Sequence, residues 1–273
     1  MVTFTAAPNH AVDFNTSFTH LSEFTSAGGL WMMSAVSAAT SAGFTGTSVD
    51  GPSWAIIASG HDFQYDFIYG TALAGTIETL VFHDGSPALA KVGTFSDLSL
   101  DFAAFQADVG KYGANVALSH VLAGEDTIVG SALGDRLMGF AGNDTIRGKG
   151  GNDRLLGGAG NDTLTGGLGK DHFVFDTAPD KLTNVDRILG FSVPNDTIDI
   201  DNAVFATVGA DGKLAAARFF IGTHAHDAND RIIYNPVNGF VSYDSDGNAA
   251  GHAVHFATLA HDLALTSADF LVL

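Results

Sequence analysis

Aspartate recurs every nine residues, without a slip, through the middle of this 273-residue chain. The period runs through residues 122–175, and one large apolar residue follows each aspartate two positions later. The six aspartates are Asp126, Asp135, Asp144, Asp153, Asp162 and Asp171. A helix would need apolar residues every three or four positions, so this period predicts a turn of about six residues and a strand of about three, repeated. Because one unit cannot bury its single apolar residue alone, neighbouring units must stack.

Glycine accompanies these aspartates at fixed distances. It lies two residues before each of them, except where Leu133 replaces it, and four residues after each of the first five. The glycines that we expect to shape the metal-binding turns are Gly139, Gly142, Gly148, Gly151, Gly157, Gly160, Gly166 and Gly169. Glycine adopts φ > 0 without a steric penalty, so these turns can aim their carbonyl oxygens inward.

The composition favours ordered, acidic turns. Of the 30 acidic residues 27 are Asp, the short carboxylate of turns and calcium loops, and only three are Glu. The net charge of −18 argues against nucleic acid as a partner and against anionic membrane surfaces. No stretch is apolar enough for a membrane span, so no membrane insertion is expected. The chain has no cysteine, so rigidity has to come from another source, and metal ions are the obvious one.

The units GGAGNDTLT (157–165) and GGLGKDHFV (166–174) resemble the RTX family of calcium-binding repeats, in the form Gly-Gly-x-Gly-x-Asp-x-apolar-x. The resemblance implies a parallel β-roll in which two nonapeptides make one 18-residue coil. Alternate turns then share an edge, so Asp126, Asp144 and Asp162 line one edge and the other three aspartates line the opposite edge. The expected fold is mainly β: a roll of six nonapeptides with a C-terminal β-rich cap, preceded by a small α+β N-terminal domain.

Calcium suits the gaps between successive turns because it takes six to eight oxygens, including backbone carbonyls. Carboxylates about 4.8 Å apart, the spacing of paired strands, would repel without a cation between them. Two gaps on each edge predict about four or five ions, with the weakest site where glycine is missing at Leu133. Ordinary Asx turns without metal are the alternative. Asp244 and Asp246, in a stretch of alternating oxygen side chains, form a candidate extra calcium site that lacks the distal Glu of an EF-hand.

Residues 176–273 contain short apolar runs separated by turn signals. They resemble the domain that follows the repeats in secreted RTX proteins, which implies a cap and an export signal. The ending Asp269-Phe270-Leu271-Val272-Leu273 is similar to the uncleaved signal read by type I secretion machinery, and a final core strand is an alternative that can hold at the same time. With no conventional N-terminal signal peptide, the expectation is a bacterial protein secreted by type I export. Two histidine groups, His224/His226 and His252/His255/His261, are weaker candidates for a transition-metal site.

Residues 1–118 are expected to form a separate N-terminal domain, with a helix over 94–112, followed by the roll over 119–175. Residues 42–69 and 73–85 resemble secreted haemophores, which implies a ligand-binding domain. Ala74 occupies the position of the family's iron-binding Tyr, and the position of its loop His falls near Trp31-Met32-Met33. Neither ligand carries over, which leaves His83, Tyr69 and Met32 as the alternative haem ligands and haem as a candidate cofactor.

No catalytic motif is found: neither the His-Glu-x-x-His zinc helix nor the Gly-x-Ser-x-Gly elbow occurs, and thiol catalysis needs a cysteine. Carboxylate pairs such as Asp62 and Asp66 arise in any Asp-rich chain. The sequence therefore predicts a secreted calcium-binding protein that displays an N-terminal ligand-binding domain and is not an enzyme. A haem-acquisition protein and an extracellular adhesion or matrix protein are the alternatives.

Overall fold

The computed structural model describes the strands of residues 3–101 and the ranges 122–249 and 253–273. Strands dominate, and their bounds follow the short apolar runs of the sequence. Before the repeats lie β1 (Thr3–Ala6), β2 (Ser41–Gly46), β3 (Trp54–Tyr65), β4 (Ala72–His83), β5 (Lys91–Ser96) and β6 (Leu100–Asp101). Within the repeats lie β7 (Thr127–Val129), β8 (Arg136–Met138), β9 (Thr145–Gly150), β10 (Arg154–Leu156), β11 (Thr163–Leu168) and β12 (His172–Phe175). After them come β13 (Asp186–Leu189), β14 (Thr197–Ile200), β15 (Gly212–Lys213), β16 (Phe219–Ile221), β17 (Ile232–Asn235), β18 (Phe240–Tyr243), β19 (Val254–Thr258) and β20 (Phe270–Val272).

The repeat strands alternate between two parallel sheets. β7, β9 and β11 pair in the first sheet, and β8, β10 and β12 pair in the second. The register advances by 18 residues, with Thr127 opposite Thr145 and Thr145 opposite Thr163. One coil therefore contains two nonapeptides, which confirms the predicted parallel β-roll.

The core of the roll consists of the apolar residues that follow each aspartate. All six have no exposed surface: Ile128, Leu137, Ile146, Leu155, Leu164 and Phe173. Full burial of such a side chain contributes about 1.5–3 kcal/mol. The two sheets are thus held together by one side chain per repeat, and the nine-residue spacing of the sequence becomes the layer spacing of the core.

Both sheets continue beyond residue 175. β13 pairs in parallel with β11, and β14 pairs in parallel with β12. β19 then extends the first sheet and β20 extends the second. The final strand β20 buries Phe270 and Val272, so the expectation of a core strand at this position is confirmed. The division of the chain into three domains stays a prediction.

The strands before the repeats continue the first sheet at its other end. β1 pairs in parallel with β7 and antiparallel with β5, and β4, β3 and β2 follow in that order. The helix predicted over 94–112 is wrong where the structure describes it, because β5 and β6 occupy residues 91–96 and 100–101. Leu98, Leu100 and Phe102 alternate with polar residues, which is the period of a strand. Residues 102–112 lie outside the described residues. No helix in the described ranges is both long and apolar enough to cross a membrane.

Candidate metal centre

A ladder of hydrogen bonds connects the repeat aspartates along each edge of the roll. The backbone N–H of one aspartate donates to Oδ1 of the aspartate 18 residues later. The donor and acceptor pairs are Asp126 to Asp144 (2.8 Å), Asp135 to Asp153 (2.8 Å), Asp144 to Asp162 (2.7 Å) and Asp153 to Asp171 (2.9 Å). The ladder produces two columns of carboxylates. The first column contains Asp126, Asp144 and Asp162, and the second contains Asp135, Asp153 and Asp171.

The second carboxylate oxygen of these side chains is left without a protein donor. Oδ2 of Asp144, Asp153, Asp162 and Asp171 is buried and accepts no hydrogen bond. Each of these four side chains is at most 1% exposed. A buried polar atom without a partner costs about 1–3 kcal/mol, and a charged one costs more. Four such atoms at one repeat position indicate that the columns are built for a cation.

Burial also makes these carboxylates hard to ionise. The pKa of Asp144 is raised from its ordinary value of 3.8 to about 8, chiefly by burial. The hydrogen bond from the Asp126 amide opposes this rise, and the neighbouring carboxylates of Asp162 and Asp126 contribute to it. Burial raises the pKa of Asp153 to about 7. The pKa values of Asp162 and Asp171 are raised by the same cause. At neutral pH the columns therefore need either protons or a compensating positive charge.

Glycine provides the space around each unpartnered oxygen. A Cβ built on Gly148 would overlap Oδ2 of Asp153 and would lie 2.6 Å from the carbonyl oxygen of Gly166. The same collision with the aspartate five residues later arises at Gly139, Gly157 and Gly166. Carboxylate and carbonyl oxygens thus line the same gap. An all-oxygen donor set of this kind fits calcium.

The other predicted glycines hold the turns in the left-handed region. Gly142, Gly151, Gly160 and Gly169 have φ of +121°, +102°, +139° and +134°. A Cβ on any of them would collide with backbone of the preceding coil. All eight glycines predicted from the sequence therefore border the columns, with Gly148 in β9 and Gly166 in β11, and their role as metal ligands stays a prediction.

The turn that lacks glycine differs from the others. Leu133 is 46% exposed, and both the backbone N–H and the hydroxyl of Ser131 donate to the carboxylate of Asp135. The side chain of Asp135 is therefore satisfied within its own turn. Asp135 is the first residue of the second column, and the first gap of that column lies between Asp135 and Asp153.

Two members of the columns were missed by the sequence analysis. The N–H of Asp162 donates to Oδ1 of Asp186 at 3.1 Å, and the N–H of Asp171 donates to Oδ1 of Asp196 at 3.1 Å. These steps are 24 and 25 residues long, so the nine-residue period does not reveal them. The signal that could have found them is local, because Ile188 and Ile198 follow them two positions later, as in every repeat.

A second ladder outside the columns was also missed. Oδ1 of Asn143 accepts the N–H of Asn161 at 2.8 Å, and Oδ1 of Asn161 accepts the N–H of Val185 at 2.9 Å. On the opposite edge, Oδ1 of Asn152 accepts the N–H of Lys170 at 2.9 Å. The asparagines before Asp144, Asp153 and Asp162 therefore tie one coil to the next without using the carboxylates.

The candidate calcium site at Asp244 and Asp246 stays a prediction. Asp244 is 4% exposed, and the N–H of Asp246 donates to its Oδ1 at 3.2 Å. Burial raises the pKa of Asp244, and the carboxylate of Asp246 adds to this effect.

The predicted histidine groups are only partly described. Within the described ranges, one cluster of three potential metal ligands is found, formed by His226 with Asp227 and Asp230, whose ligand atoms lie within 4.8 Å of one another. His255 stacks on Phe240 with ring centroids 3.9 Å apart. His261 lies beside its neighbour Asp262. His224 contacts the hydroxyl of Thr223, and His252 lies outside the described residues.

The haem candidates stay predictions as well. His83 is the last residue of β4, and Met32 and Tyr69 lie outside the described residues.

Comparison with known proteins agrees with the repeat geometry. Residues 122–155 and 138–173 match the family "RTX calcium-binding nonapeptide repeat (4 copies)". The solution structure of the AlgE6R3 subunit of the Azotobacter vinelandii mannuronan C5-epimerase is similar at 26% identity over 54% of this chain and 78% of that chain, with a TM-score of 0.37. The AlgE6R2 subunit of the same enzyme is similar at 26% identity over 55% of this chain and 88% of that chain, with a TM-score of 0.38. No curated protein matches the chain. Residues 122–173 thus match RTX calcium-binding nonapeptide repeats, and their strands pair as a parallel β-roll.

Proposed function

We propose that this protein works outside the cell as a calcium-binding protein whose roll assembles when the ion is present. The observation that carries the proposal is the set of four buried, unpartnered Oδ2 atoms of Asp144, Asp153, Asp162 and Asp171. Each lies against a glycine that keeps the gap between turns open. Bound calcium would supply the positive charge and the oxygen coordination that these gaps lack.

The aspartates have two separate roles in this assembly. Oδ1 accepts the N–H of the preceding coil and so fixes the register between turns. Oδ2 faces the gap and would be a ligand. When the cation is absent at neutral pH, folding has to bury these carboxyl groups either as anions that repel one another or with protons taken up above their ordinary pKa, and the roll is destabilised. Binding and folding are therefore one equilibrium.

The coupling suits passage from a calcium-poor to a calcium-rich compartment. Extracellular calcium modules bind with dissociation constants of about 10⁻⁴–10⁻³ M, which is near the concentration outside cells. Inside the cell the roll would remain open, and an open chain can be threaded through the type I secretion machinery. The C-terminal cap would then complete the roll, and the N-terminal strands would be displayed as a ligand-binding region continuous with the first sheet.

A calcium titration of the full chain tests the proposal. We expect a cooperative gain of β signal in far-ultraviolet circular dichroism, reversed by EDTA. The same concentration of Mg²⁺ is the control and should produce little change, because Mg²⁺ resists exchanging its water for a carbonyl cage. A spectrum and melting temperature that are the same in calcium and in EDTA would contradict the proposal.

A further inference from the structure

The first column does not end with the last repeat. Asp186 lies after the recognised repeats, yet its Oδ1 accepts the N–H of Asp162 at 3.1 Å, as in each earlier step of the ladder. The side chain of Asp186 is 4% exposed. Its carboxyl group also lies against the carboxyl group of Asp162, whose Oδ2 is buried and accepts no hydrogen bond from the protein. Two buried carboxyl groups thus meet where the C-terminal cap joins the roll.

The turn before Asp186 has no amide left to neutralise this pair. Leu182 and Thr183 both donate their N–H to Oδ1 of Asp180. Asn184 donates its N–H to the carbonyl oxygen of Asp180, and Val185 donates to the side chain of Asn161. Each N–H between residues 182 and 185 is therefore engaged elsewhere. The charge at Asp186 has to be balanced by something other than its own turn.

The second column ends differently. Oδ1 of Asp196 accepts the N–H of Asp171 at 3.1 Å, which repeats the ladder. Its Oδ2, however, accepts the N–H of Ser192 at 2.8 Å. This is the arrangement at the other end of the column, where Ser131 donates to Asp135. Both ends of the second column are therefore closed by a serine amide.

We propose that Asp162 and Asp186 hold an additional calcium ion at the junction between the roll and the C-terminal cap, and that Asp171 and Asp196 do not. The inference rests on the proposed function, because it assumes that the interior gaps bind calcium. The interior gaps are the two between successive aspartates from Asp126 to Asp162 and the two from Asp135 to Asp171. The full chain should then bind five ions, three along the first column and two along the second.

The proposed ion at the junction would make the order of the C-terminal cap depend directly on calcium. Asp186 begins β13, which pairs with β11 of the last coil and with β19 of the cap. A ligand at this position ties the register of β13 to the turn that ends at Asp162. The cap would therefore gain order at the same calcium concentration as the roll.

The test is the number of calcium ions bound by the full chain, counted by native mass spectrometry and by equilibrium dialysis with radioactive calcium. Asp186→Ala and Asp196→Ala are a matched pair, since each removes one buried carboxylate and one hydrogen bond to the last repeat. We expect five ions in the wild type, five in Asp196→Ala and four in Asp186→Ala. Equal numbers in the wild type and Asp186→Ala, or the loss of one ion in both variants, would overturn the inference. If the wild type itself bound no calcium, the proposed function would fail instead.

Asp186→Asn covers the case in which the alanine variant does not fold. The carboxamide oxygen still accepts the N–H of Asp162, while the negative charge is removed. We expect this variant to keep the calcium-induced circular dichroism of the wild type and to bind its weakest ion at least tenfold less tightly. An unchanged affinity for every ion would count against a site at Asp186.

Discussion

The backbone N–H of Asp153 donates to Oδ1 of Asp171, 18 residues later, at 2.9 Å, while Oδ2 of the same Asp171 carboxylate has no partner. One side chain therefore fixes the register between coils with one oxygen, and in the proposed site it would bind a cation with the other. The same division holds at Asp144, Asp153 and Asp162. Substitutions that separate the two roles can distinguish a structural ladder from a metal site.

Removing a carboxylate from the middle of a column should weaken calcium-dependent folding most. In Asp162→Ala and Asp153→Ala we expect the calcium concentration at the folding midpoint to rise at least tenfold, because a ligand and a ladder hydrogen bond are lost together. Calcium titration followed by circular dichroism measures the midpoint. Asp211→Ala is the control, since Asp211 is exposed and lies outside both columns. A shift of the same size in the control would show that the effect is one of net charge.

The stability of the ion-free roll should fall as the pH rises. Burial raises the pKa of Asp144 to about 8 and that of Asp153 to about 7, from an ordinary value of 3.8. A carboxyl group whose pKa is raised by folding stabilises the folded state below its unfolded pKa, and this stabilisation is lost as the pH rises through the folded value. In EDTA, lowering the pH from 8 to 5 should therefore increase the β signal. With calcium present, the same change should weaken binding, because protons compete for the ligands. A pH-independent spectrum in EDTA would contradict this prediction.

Adding one methyl group at a glycine that faces a column aspartate should impair calcium-dependent folding far more than adding it at a glycine with open space around it. A Cβ at Gly148 would overlap Oδ2 of Asp153, whereas a Cβ at Gly124 would have nothing within 4 Å. We expect Gly148→Ala to lose most of the calcium-induced β signal, and Gly124→Ala to titrate within twofold of the wild type. Calcium titrations of the two variants side by side test this. Equal behaviour would mean that the gap at Gly148 does not need to stay open.

Replacing a strained residue in the roll should stabilise it. Lys149 has φ of +79° at a position that is glycine in the next coil on that edge, where Gly167 has φ of +115°. A residue other than glycine in this region costs about 1–3 kcal/mol. Lys149→Gly should therefore raise the melting temperature of the calcium-loaded protein by several degrees. Lys170→Gly removes the same charge at a position outside the left-handed region and should lower it slightly. A lower melting temperature in both variants would contradict the interpretation that the backbone at Lys149 is strained.

The fold of the repeats could be predicted because the nine-residue period of the sequence is also the period of turns and strands in the structure. One apolar residue per nine positions specifies one core layer, and Ile146 and Leu155 lie where that spacing places them. The hydrogen-bond ladder between aspartates could not be predicted in the same way. It depends on which carboxylate oxygen faces the preceding coil, and the spacing of residues contains no such information.

The ends of the columns escaped prediction for a different reason. Asp186 and Asp196 follow turns of unequal length, so no fixed period reaches them. A search for aspartate followed two positions later by a large apolar residue would have found both. The strands around residues 94–101 were missed because alternation over a few residues is easily confused with a helical pattern.

The pairing of β1 with β7 has a consequence for the timing of assembly. Thr3 and Phe4 lie beside Thr127 and Ile128, so β1 cannot pair in the sheet until a strand more than a hundred residues later has formed. Contacts that span so much of a chain form slowly, because the intervening segment must first be confined. The surface that receives β1 is the first strand of the roll. Calcium would therefore set the order of assembly here: residues 3–6, although synthesised before the repeats, would take their place in the sheet only after the roll has formed.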